Sequence, residues 1–439
     1  MDTSPASDKP REAAAKSVSR VDPYIWGSYI ALVIVSVIEL FSASSQEVRV
    51  GRIYDPIIRH AIFLGVGFII MLAIQRMHFR HIYYAIPLFV VASIVMMVMV
   101  LAVGVNINGA RRGLQLGPVM VLPAEFLKLA VALGIAWILA RNRLKGTTDT
   151  TRSGVIQCAA LVLFCSGLLF SHGLTNTLLL MSISVCMMLV GGVSWRKLGY
   201  VLLAYAVIGG VAVLFKAVTS DDRPLTDEEV ALARINQTEA VKLYDGENRF
   251  QIWAGRIRNH FRLNKSADPI TDVNKQEQLS YIAQAHGGLT GAGIGNSREN
   301  ARLPLAFSDY IYAIVVEELG AVVAIFVLAL YLFLLGRAGR LAMVFKSTLP
   351  CLLVIGCALV ICLQALFHIC IVTGVFPVSG QPLPLISKGG TSILATSIAL
   401  GIMLSASRWA ARTNDADETI RRELSSLPEN IATVNPSQL

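Results

Sequence analysis

Apolar residues run along this chain in long blocks broken by short polar segments. A helix needs about 20 mostly apolar residues to cross the hydrocarbon core of a membrane. Ten blocks come near that length and predict ten membrane helices: Tyr24–Ala43, Arg59–Ile74, Ile82–Gly104, Pro123–Ala140, Gly154–Phe170, Leu174–Gly192, Leu198–Ala217, Asp309–Leu335, Leu349–Thr373 and Ile386–Ser407. Only Ser171-His172-Gly173 divides the fifth from the sixth. The fold expected is all-α and polytopic. Its parts are a polar tail over 1–23, helices one to seven over 24–217, a large hydrophilic loop over 218–308, helices eight to ten over 309–407 and a second tail over 408–439.

Charge supplies the orientation. Cytoplasmic loops of membrane proteins are enriched in Lys and Arg. With the N-terminus inside, every inner segment is basic: Lys9 to Arg20, Arg76 and Arg80, Arg141 to Arg152, Arg196 and Lys197, Arg337 to Lys346, and Arg408 with Arg412. Both termini then face the cytoplasm and the 218–308 loop faces outward. The chain is 54% hydrophobic and 15% charged over 439 residues, well below the ~25% charged residues of a soluble protein. In that setting the net charge of +9 points to anionic lipid, not nucleic acid. No short apolar segment with a small-residue cleavage site opens the chain, so no signal peptide is expected. The seven cysteines all lie in apolar runs and the seven histidines are scattered, so neither a disulfide nor a His/Cys metal site is expected.

Polar groups at membrane depth are the candidates for chemistry, and they gather toward the outer face in three places. The first joins Asn108-Gly109-Ala110-Arg111-Arg112-Gly113 to Pro123-Ala124-Glu125-Phe126-Leu127-Lys128. Glu125 and Lys128, three apart, share one helix face; they either neutralise each other or, with Arg111 and Arg112, meet an anionic head group. The second is the approach to the eighth helix, Ser308-Asp309-Tyr310. A carboxylate there is welcome on dipole grounds alone. Glu317 and Glu318 lie deeper in that helix, and Glu317 reads as a structural group that could pair with a base on another helix. The third is Phe376 to Ser392, whose prolines and glycines cannot continue a helix and which holds Ser387 and Lys388. It reads as a rigid re-entrant turn or as a cavity wall. A basic run in the large loop, Arg249, Arg256, Arg258, Arg262 and Lys265, reads as a surface-lying amphipathic helix or as a surface for phosphate-bearing lipid.

In order and spacing these motifs, with Gly288-Leu289 through Gly295-Asn296-Ser297 and Gly380-Gln381-Pro382-Leu383-Pro384, resemble the SEDS family (FtsW, RodA and SpoVE) from Tyr24 to Arg408. The resemblance implies a glycosyltransferase that polymerises lipid II into β-1,4 glycan strands outside the cytoplasmic membrane. It implies an undecaprenyl-pyrophosphate-linked strand as donor and a class B penicillin-binding protein and other divisome proteins as partners. No tightly bound cofactor is implied; a divalent cation, magnesium or manganese, could join Asp309. Ser308-Asp309-Tyr310-Ile311-Tyr312 matches the motif of the family's essential acid, so the resemblance makes Asp309 the catalyst, a general base. Arg111, Arg112, Glu125, Lys128, Arg249, Arg256, Ser387 and Lys388 become candidates for substrate binding. The chain departs from the family pattern at Gly113, Gly173, Leu305, Phe307 and Lys388. The two polar tails lean to the division members over the elongation members. A lipid-precursor flippase and a non-catalytic scaffold are the alternatives.

Overall fold

The computed structural model describes residues 21–47, 55–77, 79–107, 110–117, 119–143, 149–170, 173–219, 260, 270, 274–303, 306–345 and 347–425. In chain order its elements are α1 (Pro23–Glu47), α2 (Asp55–Arg76), α3 (Phe79–Val103), β1 (Val105–Ile107), β2 (Ala110–Leu116), β3 (Val119–Val121), α4 (Pro123–Arg141), α5 (Arg152–Phe170), α6 (Leu174–Val190), α7 (Trp195–Thr219), α8 (Lys275–Gly287), α9 (Ala306–Asp309), α10 (Ile311–Val344), α11 (Thr348–Val372) and α12 (Gly390–Ser425). Each of the ten expected blocks falls on a helix. Eight helices among the described residues are long and apolar enough to cross a membrane, and α6 is a shorter apolar one. The molecule is a polytopic helical membrane protein.

Three features depart from the pattern expected. The stretch between α3 and α4 is not a plain loop: β1, β2 and β3 form an antiparallel meander, Asn106 facing Arg111 and Leu114 facing Val121. Its backbone groups satisfy one another, as they must beside a membrane. The tenth helix begins at Gly390, not Ile386, because Pro382 and Pro384 hold the preceding chain in an irregular path. The eighth block is not one helix from Asp309. Asp309 ends a single turn, α9; α10 then starts at Ile311 and breaks at Gly320, whose φ of 86° and ψ of 166° are non-helical.

Burial sorts the helices. Fourteen of the nineteen residues of α4 are buried, which puts that helix at the centre of the bundle. The outer helices α2 and α3 instead show Ile62, Ile69, Leu88 and Val95 on the surface, as helices facing lipid do. Packing between helices in lipid depends on small residues that admit close approach. Helix α2 lies against α12 in this way: a Cβ on Gly390 would meet the Phe63 ring at 2.5 Å, and one on Gly401 would meet Ile74 Cβ at 2.9 Å.

On one side of the bundle, Arg337 of α10 donates to Asp22 Oδ2 at 2.7 Å and stacks on Tyr24, while the Asp22 amide donates to Ser407 Oγ at 3.3 Å. The start of α1 and the end of the apolar part of α12 therefore share one face. On that basic side Lys197 also holds Asp149 at 2.6 Å, and this hydrogen bond, with two backbone amides, keeps the Asp149 carboxyl below the usual carboxylate range.

The opposite side is built around the break in α10. The chain Gly288–Gly293 lies along it and makes backbone bonds to both halves: Ala292 N–H to Glu317 O (2.8 Å), Gly293 N–H to Glu318 O (3.0 Å) and Ala321 N–H to Gly288 O (3.0 Å). Two backbones this close leave no room for side chains. A Cβ on Gly291 would sit 2.2 Å from Glu318 O, and its φ is 82°. Glu317 anchors the next stretch. Its Oε1 accepts from the amides of Arg298 (2.9 Å) and Glu299 (3.4 Å) and lies 3.0 Å from His286 Nδ1, and its Oε2 accepts from Ser297. Glu318 accepts from Ser42 of α1 and from the Gly295 amide at 3.1 Å. The expected basic partner on another helix is thus His286 for Glu317, while most of the bonds to both acids come from hydroxyls and amides. Gly291→Ala places a side chain where φ and space both forbid it and costs about 2–4 kcal/mol. Its apparent melting temperature should fall by several degrees in a fluorescence scan. Gly167→Ala, with no atom within 4 Å of the new Cβ, should leave it unchanged.

Candidate functional site

Asp309 stands where two chain segments cross on the Glu317 side of the bundle. Ser308 Oγ donates to Asp309 Oδ1 at 2.9 Å. The irregular segment before α12 grips the α9 turn at the two residues before the acid: Lys388 N–H donates to Phe307 O at 2.9 Å, and Ser387 Oγ donates to Ser308 O at 2.8 Å. Across from the carboxylate is Gly380, where a Cβ would lie 2.6 Å from Asp309 Oδ2. Only a glycine permits that approach. The N-cap of α10 is Tyr310, with no side-chain cap bond, so capping the long helix does not account for Asp309. Its carboxylate is half-buried and belongs to the crossing.

The segment from Gln381 to Gly389 has no helix to satisfy its backbone, and side chains do so instead. Gln364 Nε2 donates to Pro382 O (3.1 Å), Tyr331 Oη to Pro384 O (2.5 Å), and Leu383 N–H to Ser387 Oγ (2.7 Å); His368 Nδ1 lies 2.6 Å from Gln381 O. Leu385, at φ 66°, is the one non-glycine residue in the left-handed region among the described residues. Such a conformation costs about 1–2 kcal/mol and persists because the surrounding bonds and the burial of Leu385 over-determine it. The re-entrant turn and the cavity wall offered by the sequence prove to be the same object.

That wall closes a cavity of about 190 Å³ lined by Arg59, His60 and Phe63 of α2, by Met120 and Leu122 around β3, by Ser308, and by Lys388, Gly389, Gly390 and Thr391. Lys388 thus lines a pocket, as one of the sequence readings has it. Ser387 does not: it is buried and both its hydrogen bonds serve the backbone. Arg59 and His60 were not among the candidates drawn from the sequence. The available signal was their position, an arginine and a histidine at the head of a membrane block. Glu39 was missed as well. It is buried on α1, with neither carboxylate oxygen hydrogen-bonded among the described residues.

Glu125 and Lys128 form a closed network of their own. Lys128 Nζ donates to Glu125 Oε1 (2.8 Å) and to Gln364 Oε1 (2.9 Å), and Gln364 Nε2 returns a bond to Glu125 Oε2 (2.9 Å). Lys128 is 0% exposed. The self-neutralising pair is what the structure shows, and the same Gln364 amide reaches Pro382 O, so the network props the irregular segment. Arg111 and Arg112 lie on β2 in the meander that leads to Met120; Arg249 and Arg256 lie outside the described residues. No group of three or more His, Cys, Asp or Glu gathers to hold a metal ion among the described residues. A single acid such as Asp309 can still meet a magnesium-like ion that arrives on phosphate oxygens, since such ions are commonly held by one or two carboxylates plus substrate phosphates.

Removing one member of a buried ion pair strands the other, which costs about 3–5 kcal/mol. Lys128→Met alone should therefore lower thermal stability more than Lys128→Met combined with Glu125→Gln. Melting curves of the two single variants and the double variant check this.

The profile of the cell cycle protein family of FtsW, RodA and SpoVE matches residues 23–412. A relative from Dichelobacter nodosus, named a probable peptidoglycan glycosyltransferase FtsW, is 30% identical over 88% of this chain and 90% of its own. The Escherichia coli K12 peptidoglycan glycosyltransferase MrdB is 25% identical over 91% of this chain and 96% of its own. Two solved structures share the fold. One, described under "Structural coordination of polymerization and crosslinking by a peptidoglycan synthase complex", aligns with a TM-score of 0.65 at 24% identity over 89% of this chain and 98% of that one. The other, the rod shape determining protein RodA of Thermus thermophilus, has a TM-score of 0.58 at 22% identity over 88% and 97%. With a match across nearly the whole membrane region, the chain belongs to the FtsW, RodA and SpoVE family of cell cycle proteins.

Proposed function

We propose that the chain is a peptidoglycan glycosyltransferase that polymerises lipid II on the outer face of the cytoplasmic membrane, with Asp309 as general base. The observation that carries the assignment of Asp309 is its place: a carboxylate tied to Ser308, itself part of the wall of a cavity lined by Arg59, His60 and Lys388. Asp309 takes the proton from the 4-hydroxyl of the acceptor sugar. The freed oxygen attacks the anomeric carbon of the lipid-linked strand, and the bond from that carbon to the phosphate oxygen breaks. Undecaprenyl pyrophosphate leaves with the electron pair, and the configuration inverts. A positioned base contributes about 10²–10⁴-fold. Ser308 holds one carboxylate oxygen by its hydroxyl, and Oδ2 lies against Gly380. A magnesium or manganese ion carried by the diphosphate would supply further charge neutralisation.

The relatives named FtsW support a division role over elongation, which makes the septum the expected location and a class B penicillin-binding protein with other divisome proteins the expected partners. The fold shared with a peptidoglycan synthase complex that coordinates polymerisation and crosslinking supports such a partner. Basic inner segments and the shared face of Asp22 and Ser407 support cytoplasmic termini. Against a flippase, the polar groups converge on one side of the bundle instead of its middle. Purified Asp309→Asn protein given labelled lipid II and a transpeptidase partner should lose at least 10²-fold of its polymerising rate, read as glycan strands on a gel. Normal strands from that variant would refute the base.

A further inference from the structure

We propose that His368 is a positioning residue for the reaction: through its bond to Gln381 O it sets Gly380 against Asp309 and so fixes the orientation of the base. This rests on the reading of Asp309 as the base and names a residue that acts on it through the backbone. His368 and Gln364 are four residues apart and share one face of α11. They reach two consecutive carbonyls of the irregular segment. His368 Nδ1 lies 2.6 Å from Gln381 O, and Gln364 Nε2 donates to Pro382 O at 3.1 Å. A carbonyl oxygen can only accept, so Nδ1 carries the proton and donates it. The bond is made one residue beyond Gly380, and a single turn of α11 thereby sets the path of the chain as it leaves that glycine.

The two donors differ in what else they do. Gln364 divides its amide between Pro382 O and the Glu125–Lys128 pair. The His368 ring has no second partner: it is 1% exposed, and its Nε2 is buried with no hydrogen bond among the described residues. An unpaired buried polar atom is costly. The imidazole thus satisfies one buried acceptor and leaves another of its own, which gains little stability. What it does gain is a fixed place for Gln381 O.

The consequence lies at the acid. A Cβ on Gly380 would sit 2.6 Å from Asp309 Oδ2, so the glycine backbone is a wall against that oxygen, while Ser308 Oγ holds Oδ1 at 2.9 Å. The carboxylate is located between the hydroxyl and the wall. A wall that retreats by about an ångström lets the carboxylate turn about its side-chain bonds, and misplacement on that scale costs about 100-fold in rate. The rest of the segment keeps its supports, because Gln364, Tyr331 and Ser387 hold it from Pro382 onward.

Infrared spectra of the full chain, and kinetics with a transpeptidase partner, test the positioning. The Asp309 carboxylate band is isolated as the difference between wild type and Asp309→Asn. His368→Leu should move that band and lower kcat for lipid II polymerisation about 10- to 100-fold, with KM unchanged within about twofold. His368→Asn, whose amide nitrogen can stand where Nδ1 stands, should restore both band and kcat. Melting curves establish that the compared variants are equally folded. If His368→Leu does not fold, His368→Phe keeps a planar ring in the site, removes the donor and makes the same comparison. A band unmoved in the apolar variant overturns the proposal, as does an Asn variant equally slow at the same melting temperature. The band reports the place of the carboxylate whether or not Asp309 is the base. Normal turnover in Asp309→Asn would sink the base and an unmoved band the positioning, so the two failures are told apart.

Discussion

Backbone that leaves a helix inside a membrane must find other partners for its polar groups, and the site depends on how this chain meets that demand. Between Gln381 and Gly389 the partners come from three helices: Tyr331 of α10, and Gln364 and His368 of α11, while α9 receives the bonds from Ser387 and Lys388. An unsatisfied amide or carbonyl at this depth costs several kcal/mol. The segment is therefore fixed from several directions at once. That fixation positions both Lys388 and the glycine against which Asp309 rests.

The Glu125, Lys128 and Gln364 network belongs to the same demand. Two opposite charges in a low-dielectric interior are tolerable when their remaining hydrogen-bonding capacity is used, and Gln364 uses it. Because Gln364 also bonds Pro382 O, the pair is coupled to the wall of the site without entering it. The residues named from a motif as substrate contacts thus divide. Lys388 lines the pocket; Ser387, Glu125 and Lys128 shape what lines it.

Much of the fold was legible because hydrophobic block length maps directly onto helices: α3, α5 and α11 begin and end within a few residues of their expected bounds. What the blocks could not show was set by contacts distant in sequence. The break at Gly320 is invisible in an apolar run; it exists because the chain around Gly291 comes to lie on it. The meander was unreadable because β1 and β3 have three residues each, too short for an alternating pattern. At the site, Asp309 was legible through its motif, and Lys388 through the rarity of charge at that depth. Arg59 and His60 were masked by the apolar block they head, and only the fold brings them opposite Lys388.

The interruption of α10 divides one membrane helix into two bodies with separate allegiances. The outer portion, Ile311 to Leu319, carries Glu317 and Glu318 and is bonded through them to α8, to the chain that follows it and to Ser42 of α1. The inner portion is anchored by Arg337 to Asp22 at the head of α1, whose amide in turn donates to Ser407 of α12. The outer cap connects to the Asp309 turn through the short outer portion, while the backbone clasp around Gly291, bonded on both sides of Gly320, carries the same connection into the long inner rod.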